Sequence, residues 1–306
     1  MFGLRYHVAS LAAVFVALAV GILLGVAISG KVTDVGEKAE LQNLRDDKER
    51  LQKDLSTAQA ATAQVEGSEE LLAKAYPALM ENRLDEQNVA VLFLGPSDGG
   101  LRADIEGTLA DADSGAPASV VALDVPVDRS DLESTLEGDE TLAAYANGDG
   151  DFSDLGRALG RELVEADETP LWDALATTLV EEWSGTISRP MDSVVVVLNW
   201  APPADASDGE SAATSTSTSS LMDGIVSGLD GTNVPVVGVA GSDDPSSVVD
   251  FYRDRGLSSV DDIDAKEGRL ALALLLAGAQ PGQYGLGSRA TDGVVPPIEP
   301  IPTEGG

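Results

Sequence analysis

The sequence has no cysteine, a single histidine (His7), four methionines and few aromatic residues, and its 19 basic residues face 52 acidic ones. The missing thiols exclude disulfide frameworks, thiolate metal sites, iron–sulfur clusters and cysteine nucleophiles. A Ser-His-Asp triad could run only through His7, near the N-terminus. The shortage of cations argues against a nucleic-acid partner, because a net charge of −33 repels a phosphate backbone. Acidity of this kind speaks to solubility and names no partner by itself. With 306 residues, 43% of them hydrophobic, the chain is long enough to bury one large core or two modest ones.

What is present begins at the front. Residues 8–30 carry no charge and 11–28 are almost wholly apolar, a length that matches a ~30 Å hydrocarbon layer at ~1.5 Å per helical residue. Residues 1–30 therefore read as an uncleaved transmembrane anchor in contact with lipid. A cleaved signal peptide competes with this reading, since Ala27-Ile28-Ser29 offers small residues at cleavage-like spacing. Such peptides, however, have an apolar core of only about 7–15 residues behind a basic segment, and here only Arg5 precedes the run. Ala13, Ala17, Gly21, Gly25 and Ser29 recur at every fourth residue. That spacing stacks them on one helix face, where two backbones can approach closely in lipid. Orientation stays open. Lys31, Lys38, Arg45 and Lys48 outnumber Arg5 and would hold the C-terminal side inside, but long domains translocate largely regardless of such counts.

Residues 31–67 read as a coiled-coil stalk. Placing Leu41, Lys48, Leu55 and Thr62 at heptad position a puts Leu44, Leu51, Ala58 and Val65 at d, a seam with Lys48 as a register-setting polar member. Glu40 and Arg45 fall at g and e, where they can pair across a parallel dimer. The alternative is an amphipathic helix folded back on the domain. Anchor and stalk together predict a parallel homo-oligomer.

From residue 88 the period changes. The segments 88–94 (NVAVLFL), 119–127 (SVVALDVPV), 193–198 (SVVVVL) and 234–240 (VPVVGVA) are short valine-rich runs, the pattern of parallel strands buried on both faces. Helical patterns fit 101–110, 131–145, 152–164, 171–183, 221–229, 246–254 and 265–277. The alternation predicts an α/β domain over 68–280, an open, mostly parallel, doubly wound sheet. It speaks against a transmembrane β-barrel. The low-complexity stretch 204–220 (ADASDGESAATSTSTSS) reads as a disordered insert, and the Gly/Pro-rich 281–306 as a flexible tail.

No catalytic constellation emerges, so the chain is expected not to be an enzyme. Gly95-Pro96-Ser97-Asp98-Gly99-Gly100 stands where a phosphate loop would lie, yet it has neither the glycine order nor the lysine, and Asp98 would repel phosphate. A turn explains it better. Asn199 and Trp200, at another strand's carboxyl end, read as a rigid strand exit. Asp261, Asp262 and Asp264 are dense enough to consider Ca²⁺ or Mg²⁺, but the EF-hand pattern is absent. Asp264 followed by Glu267 better suits a capping box for the next helix. The scattered methionines and lone histidine build no soft-metal site.

Two end motifs carry a resemblance. The stretch 4–21 (LRYHVASLAAVFVALAVG), with Arg5 and His7, resembles the start of the MctB-type copper transport proteins of actinobacteria. The stretch 259–264 (SVDDID), Gly268-Arg269, and Gly282-Gln283-Tyr284-Gly285 resemble that family's C-terminal signature, with Asp261, Asp262, Asp264 and Tyr284 as its members here. The order of anchor, coiled helix, α/β domain and tail is similar as well. The resemblance implies a membrane-anchored, channel-like role in copper homeostasis that limits intracellular copper. Copper is then transported cargo and no resident cofactor is expected. It also implies an extracytoplasmic domain, at an outer membrane where the cell has one. The second expectation is a non-enzymatic envelope protein that presents an acidic domain to another envelope protein. The charge divides accordingly: residues 1–30 carry +1, 31–70 carry −4 from six basic and ten acidic residues, and 71–306 carry −30 from twelve and forty-two.

Overall fold

The computed structural model describes residues 11, 13–22, 48–50, 52–57, 67, 70–140, 142–146, 150–165, 168–185, 189–202 and 210–298. The chain divides into two compact units, Met1–Ser68 and Glu69–Gly306. In the first, residues 13–22 form helix α1, exposed on every side although its side chains are apolar. Leu11 is 64% exposed and Phe15 48%. Among the described residues no helix is long and apolar enough to cross a membrane, and the rest of the anchor read from sequence, 1–10, 12 and 23–30, lies outside them. In the segment read as a stalk, residues 48–50 and 52–57 are helical and exposed, Lys48 and Leu55 included. Leu41, Leu44, Leu51, Ala58 and Val65 lie outside the described residues.

The second unit opens on helix α2, residues 70–80. Its strands are β1 (Val89–Leu94), β2 (Ser119–Leu123), β3 (Val180–Gly185), β4 (Ser193–Leu198), β5 (Val236–Val239), β6 (Ser258–Val260) and β7 (Gln283–Tyr284). Its further helices are α3 (Gly99–Asp111), α4 (Arg129–Gly138), α5 (Ser153–Glu165), α6 (Pro170–Leu179), α7 (Glu210–Asp230), α8 (Ser246–Asp254) and α9 (Lys266–Leu276), with a 3-10 turn at Ala143–Tyr145. The strands form one sheet in the order β3-β2-β1-β4-β5-β6-β7. All neighbours are parallel except β3, which runs antiparallel to β2. The expected mostly parallel sheet is therefore present, with an antiparallel edge.

Valine runs form the strands because both faces are covered. Val89, Val91 and Phe93 of β1 point into one core with Val195, Val197, Val237 and Val239, under α2, α3 and α9. Ala90, Leu92 and Leu94 point into the other, with Val194 and Val196, under α4 to α8. β-Branched side chains suit this pleated surface, and burying each valine stabilises by about 1.5–3 kcal/mol.

Four expectations change. Residues 180–183 were expected to continue a helix but form β3, because Val120, Val121 and Ala122 pair with Ser184, Trp183 and Glu182. Trp183 still stacks edge-on against Trp172, with centroids 5.8 Å apart. Of the expected disordered insert, residues 210–220 form the first half of α7, while 204–209 lie outside the described residues. Ser217 and Thr218 are buried there. The Ser217 hydroxyl donates to the Gly150 carbonyl (2.8 Å), and the Val127 amide donates to Thr218 Oγ1 (3.0 Å). Third, residues 283 and 284 of the expected tail join the sheet: Asp261 N donates to the Tyr284 carbonyl (3.1 Å), and Gly285 N to that of Gly293 (3.1 Å), while 299–306 lie outside the described residues. Fourth, α9 is capped by Ala265 without a side-chain bond. Asp264 turns instead to Ser242, accepting from its amide (2.9 Å) and hydroxyl (2.7 Å). Serine on the neighbouring loop outcompetes the helix's own amides.

The closest helix contact is between α5 and α7. Gly156 and Gly160 face Gly224 and Gly228, so near that a methyl on Gly156 would strike the Leu221 carbonyl oxygen, and one on Gly224 that of Ser153. These two G-x-x-x-G pairs stand in the sequence and went unread.

Candidate functional site

Ligands of open α/β sheets usually sit beyond the strands' carboxyl ends, where the strand order reverses. Here the reversal lies between β1, with β2 on one side, and β4 on the other. That crevice is filled by the chain itself. Gly95 has φ +135° and lies so close to the Asn199 carbonyl that a Cβ would clash with it. Asn199 Nδ2 donates to the Pro96 carbonyl (2.9 Å), tying the two strand exits together. Asp98 is the N-cap of α3, and its Oδ1 accepts from Gly100 N and Leu101 N, both at 2.8 Å. A carboxylate thus occupies the helix N-terminus, where an anionic ligand would otherwise bind. The reading of 95–100 as a turn becomes more specific: it is a turn that ends in a helix cap.

Further along the edge, Tyr252 of α8 reaches beneath β4 and β5. The Leu198 amide donates to its hydroxyl (2.7 Å), and that hydroxyl donates to the Val239 carbonyl (3.0 Å). Gly238 supplies the space, since a Cβ there would enter the Tyr252 ring. Complete burial pushes the phenol's pKa upward, which keeps it protonated as a structural donor.

The signature acids meet at the next strand ends. Asp261 and Asp262 follow β6 directly, and the loop after β7 folds over them. Gly287 N donates to Asp261 Oδ1 (3.2 Å) and Leu286 N to Asp262 Oδ2 (3.0 Å). Glycine is required at both flanking positions, because a methyl on Gly285 or Gly287 would overlap the Asp261 carboxylate. Asp262 itself takes a left-handed conformation, φ 59°. Asp261 is 7% exposed. Burial, then its hydrogen bond to the Asp262 carboxyl, raises its pKa to about 6. For Asp264, burial works upward but the two Ser242 donors outweigh it and hold the carboxyl below the usual range.

The structure therefore brings Asp261, Asp262, Asp264 and Tyr284 to one edge. The donors that the acids receive are amides and a hydroxyl, a setting for held carboxyls and not for a bound cation. Among the described residues no group of three or more His, Asp or Glu side chains could hold a metal ion. Ala13, Ala17 and Gly21 lie on α1, with nothing within 4 Å of a Cβ placed on Gly21. Gly25, Ser29, Arg5 and His7 lie outside the described residues. Gly285 stood in the noted Gly282–Gly285 stretch; missed in the sequence was Gly287, two residues on, which completes the cradle of Asp261.

The sequence model of the copper transport outer membrane protein MctB matches residues 1–296. The chain belongs to the MctB family. The match runs through both units and includes the acid pair with its glycine loop. No curated protein matches the chain. As an MctB protein it is placed among copper transport or homeostasis proteins, and the family's description locates them at an outer membrane.

Proposed function

We propose that this MctB protein limits intracellular copper as a membrane-anchored oligomer, with copper as cargo and the acidic α/β unit on the extracytoplasmic side. The observation that carries the reading is the family match over residues 1–296. The exposed apolar surface of α1 supports a lipid-facing anchor: among the described residues, large side chains such as Val14, Val16 and Leu18 are exposed. A single uncharged helix lines no pore, so a channel-like path requires several copies. The stripe Ala13, Ala17, Gly21, Gly25 and Ser29 and the heptad seam from Leu41 to Val65 are the surfaces on which those copies meet. The reading assigns no catalytic step and no nucleic-acid partner.

A second reading is supported by the filled carboxyl edge. Gly95, Asn199, Asp98 and Tyr252 occupy the places where such sheets take ligands, which suits an envelope scaffold that presents an acidic surface to another protein. Removing the gene and measuring copper tolerance and cell copper separates the two. Raised cell copper with lowered tolerance supports the copper role. Both unchanged would sink it and leave the scaffold.

A further inference from the structure

The sheet has two edges, and the chain treats them differently. At one, β7 is only two residues long, and the residues after it close the edge. Gly285 N donates to the Gly293 carbonyl (3.1 Å), and Tyr284 and Gly293 form a further parallel bridge. At the other, β3 runs for six residues with β2 as its one strand neighbour. Among the described residues, no hydrogen bond from another backbone segment covers the far side of β3. An extended strand turns donors and acceptors outward at every second residue, so this edge is a template for one more strand.

The side chains of β3 select which strand would fit. Trp183 lies on the α6 face, where it meets Trp172 edge-on at 5.8 Å and packs against that core while staying half-exposed. Glu182 and Ser184 lie on the α3 face, held by Arg102, whose guanidinium donates to Glu182 Oε1 (2.5 Å) and Ser184 Oγ (3.3 Å). Arg102 also pairs with Glu106 (2.8 Å), so one cation serves two carboxylates there. Glu181 is the extra residue where the register with β2 shifts, and it stands exposed. A strand laid along β3 therefore meets a half-covered indole on one face and an excess of negative charge on the other. Because successive side chains of a strand point to opposite faces, the complement has apolar residues on the Trp183 side and lysine or arginine on the Glu182 side.

We propose that β3 is a docking edge for an extended segment of another protein, in which apolar and basic residues alternate and which joins the sheet as one more strand. Backbone bonds supply the affinity, and the two unlike faces choose the partner. Arg102 and the tryptophan pair fix β3 from both sides, so the incoming strand meets an edge that is already extended. A second copy of this chain is the poorer occupant. Pairing β3 with itself gathers Glu181 and Glu182 of both copies at one join, between units whose residues 71–306 each carry −30. Like charges across a ladder destabilise it. The same acids guard the bare edge against self-association and attract a basic strand. Neither reading of function above gives this edge a use.

The test uses the full chain in detergent and a synthetic seven-residue peptide of alternating valine and lysine, blocked at both ends. Amide hydrogen exchange is followed with the peptide at about 1 mM. At a dissociation constant of about 0.1 mM, exchange of the outward amides within 180–185 slows about tenfold, while that of β5 and β6 is unchanged. Two control peptides separate ladder from charge. The same sequence methylated on every amide nitrogen, and a version with glutamate in place of lysine, should each leave 180–185 as it was. No slowing by the lysine peptide, or equal slowing by either control, would overturn the proposal. Slowing that grows with protein concentration in the absence of peptide would overturn it as well and assign the edge to a second copy.

Discussion

Two regions of this chain use the same spacing of small residues and meet opposite ends. In the α/β unit, Gly156 and Gly160 on α5 lie against Gly224 and Gly228 on α7, backbone to backbone. On α1, Ala13, Ala17 and Gly21 follow the same every-fourth-residue rule, but a Cβ on Gly21 meets nothing within 4 Å. The rule thus states how a helix packs and leaves open against what. Where chain topology delivers a second glycine helix, the pattern is consumed internally. Where it does not, the oligomer proposed above would supply a second copy as the matching surface.

The contrast can be broken from either side. The largest effect is expected inside the domain. Gly224→Leu drives a side chain into the Ser153 carbonyl and should cost about 3 kcal/mol or more, seen as a fall in thermal midpoint of about 6–12 °C. An unchanged midpoint would mean that α5 and α7 do not pack as described. Next comes Gly21→Ile with Gly25→Ile. Domain unfolding should stay the same, while self-association in detergent weakens about tenfold or more, measured by sedimentation. Unchanged oligomer size would leave the heptads as the only oligomer contact. The smallest effect sharpens the rule by exception. Gly107 lies within α3, where a Cβ would meet only the Arg269 guanidinium at an ordinary 3.8 Å. Gly107→Ala should therefore stabilise by about 0.5–1 kcal/mol through helix propensity and a stiffer unfolded chain, measured by denaturant titration. Destabilisation would show that spacing alone governs a helical glycine here.

The same contrast explains what could be read in advance. β1 and β4 were visible because strands covered on both faces need uninterrupted apolar residues, and VAVLFL and SVVVVL supply them. Helix α8 was visible because Val248, Val249 and Tyr252 keep one face. β3 was hidden: VEEWSG continues the rhythm of Leu171, Leu175 and Leu179, and only pairing with β2 turns it into a strand. The serine- and threonine-rich start of α7 was hidden for a related reason. Its local preferences are weak, and contacts with residues far away in sequence decide its conformation. At the acid edge, sequence identified Asp261, Asp262 and Tyr284 together. It could not show that Asp264 spends both oxygens on Ser242, 22 residues upstream, because that choice depends on two loops meeting.

The strand order sets a timetable. β1 lies between β2 and β4, and its partner β4 begins about a hundred residues later in the chain, the Val89↔Ser193 pair marking the join. Emerging N-terminus first, β1 and β2 can pair early, but the sheet's most valine-rich seam must wait for β4, and β7 arrives last of all. Closing so long a loop is slow compared with forming a helix. In the interval an unpaired valine edge stands exposed to any other chain. A protein built this way gains from being kept unfolded until it is complete, which is also the condition in which a polypeptide can be passed across a membrane.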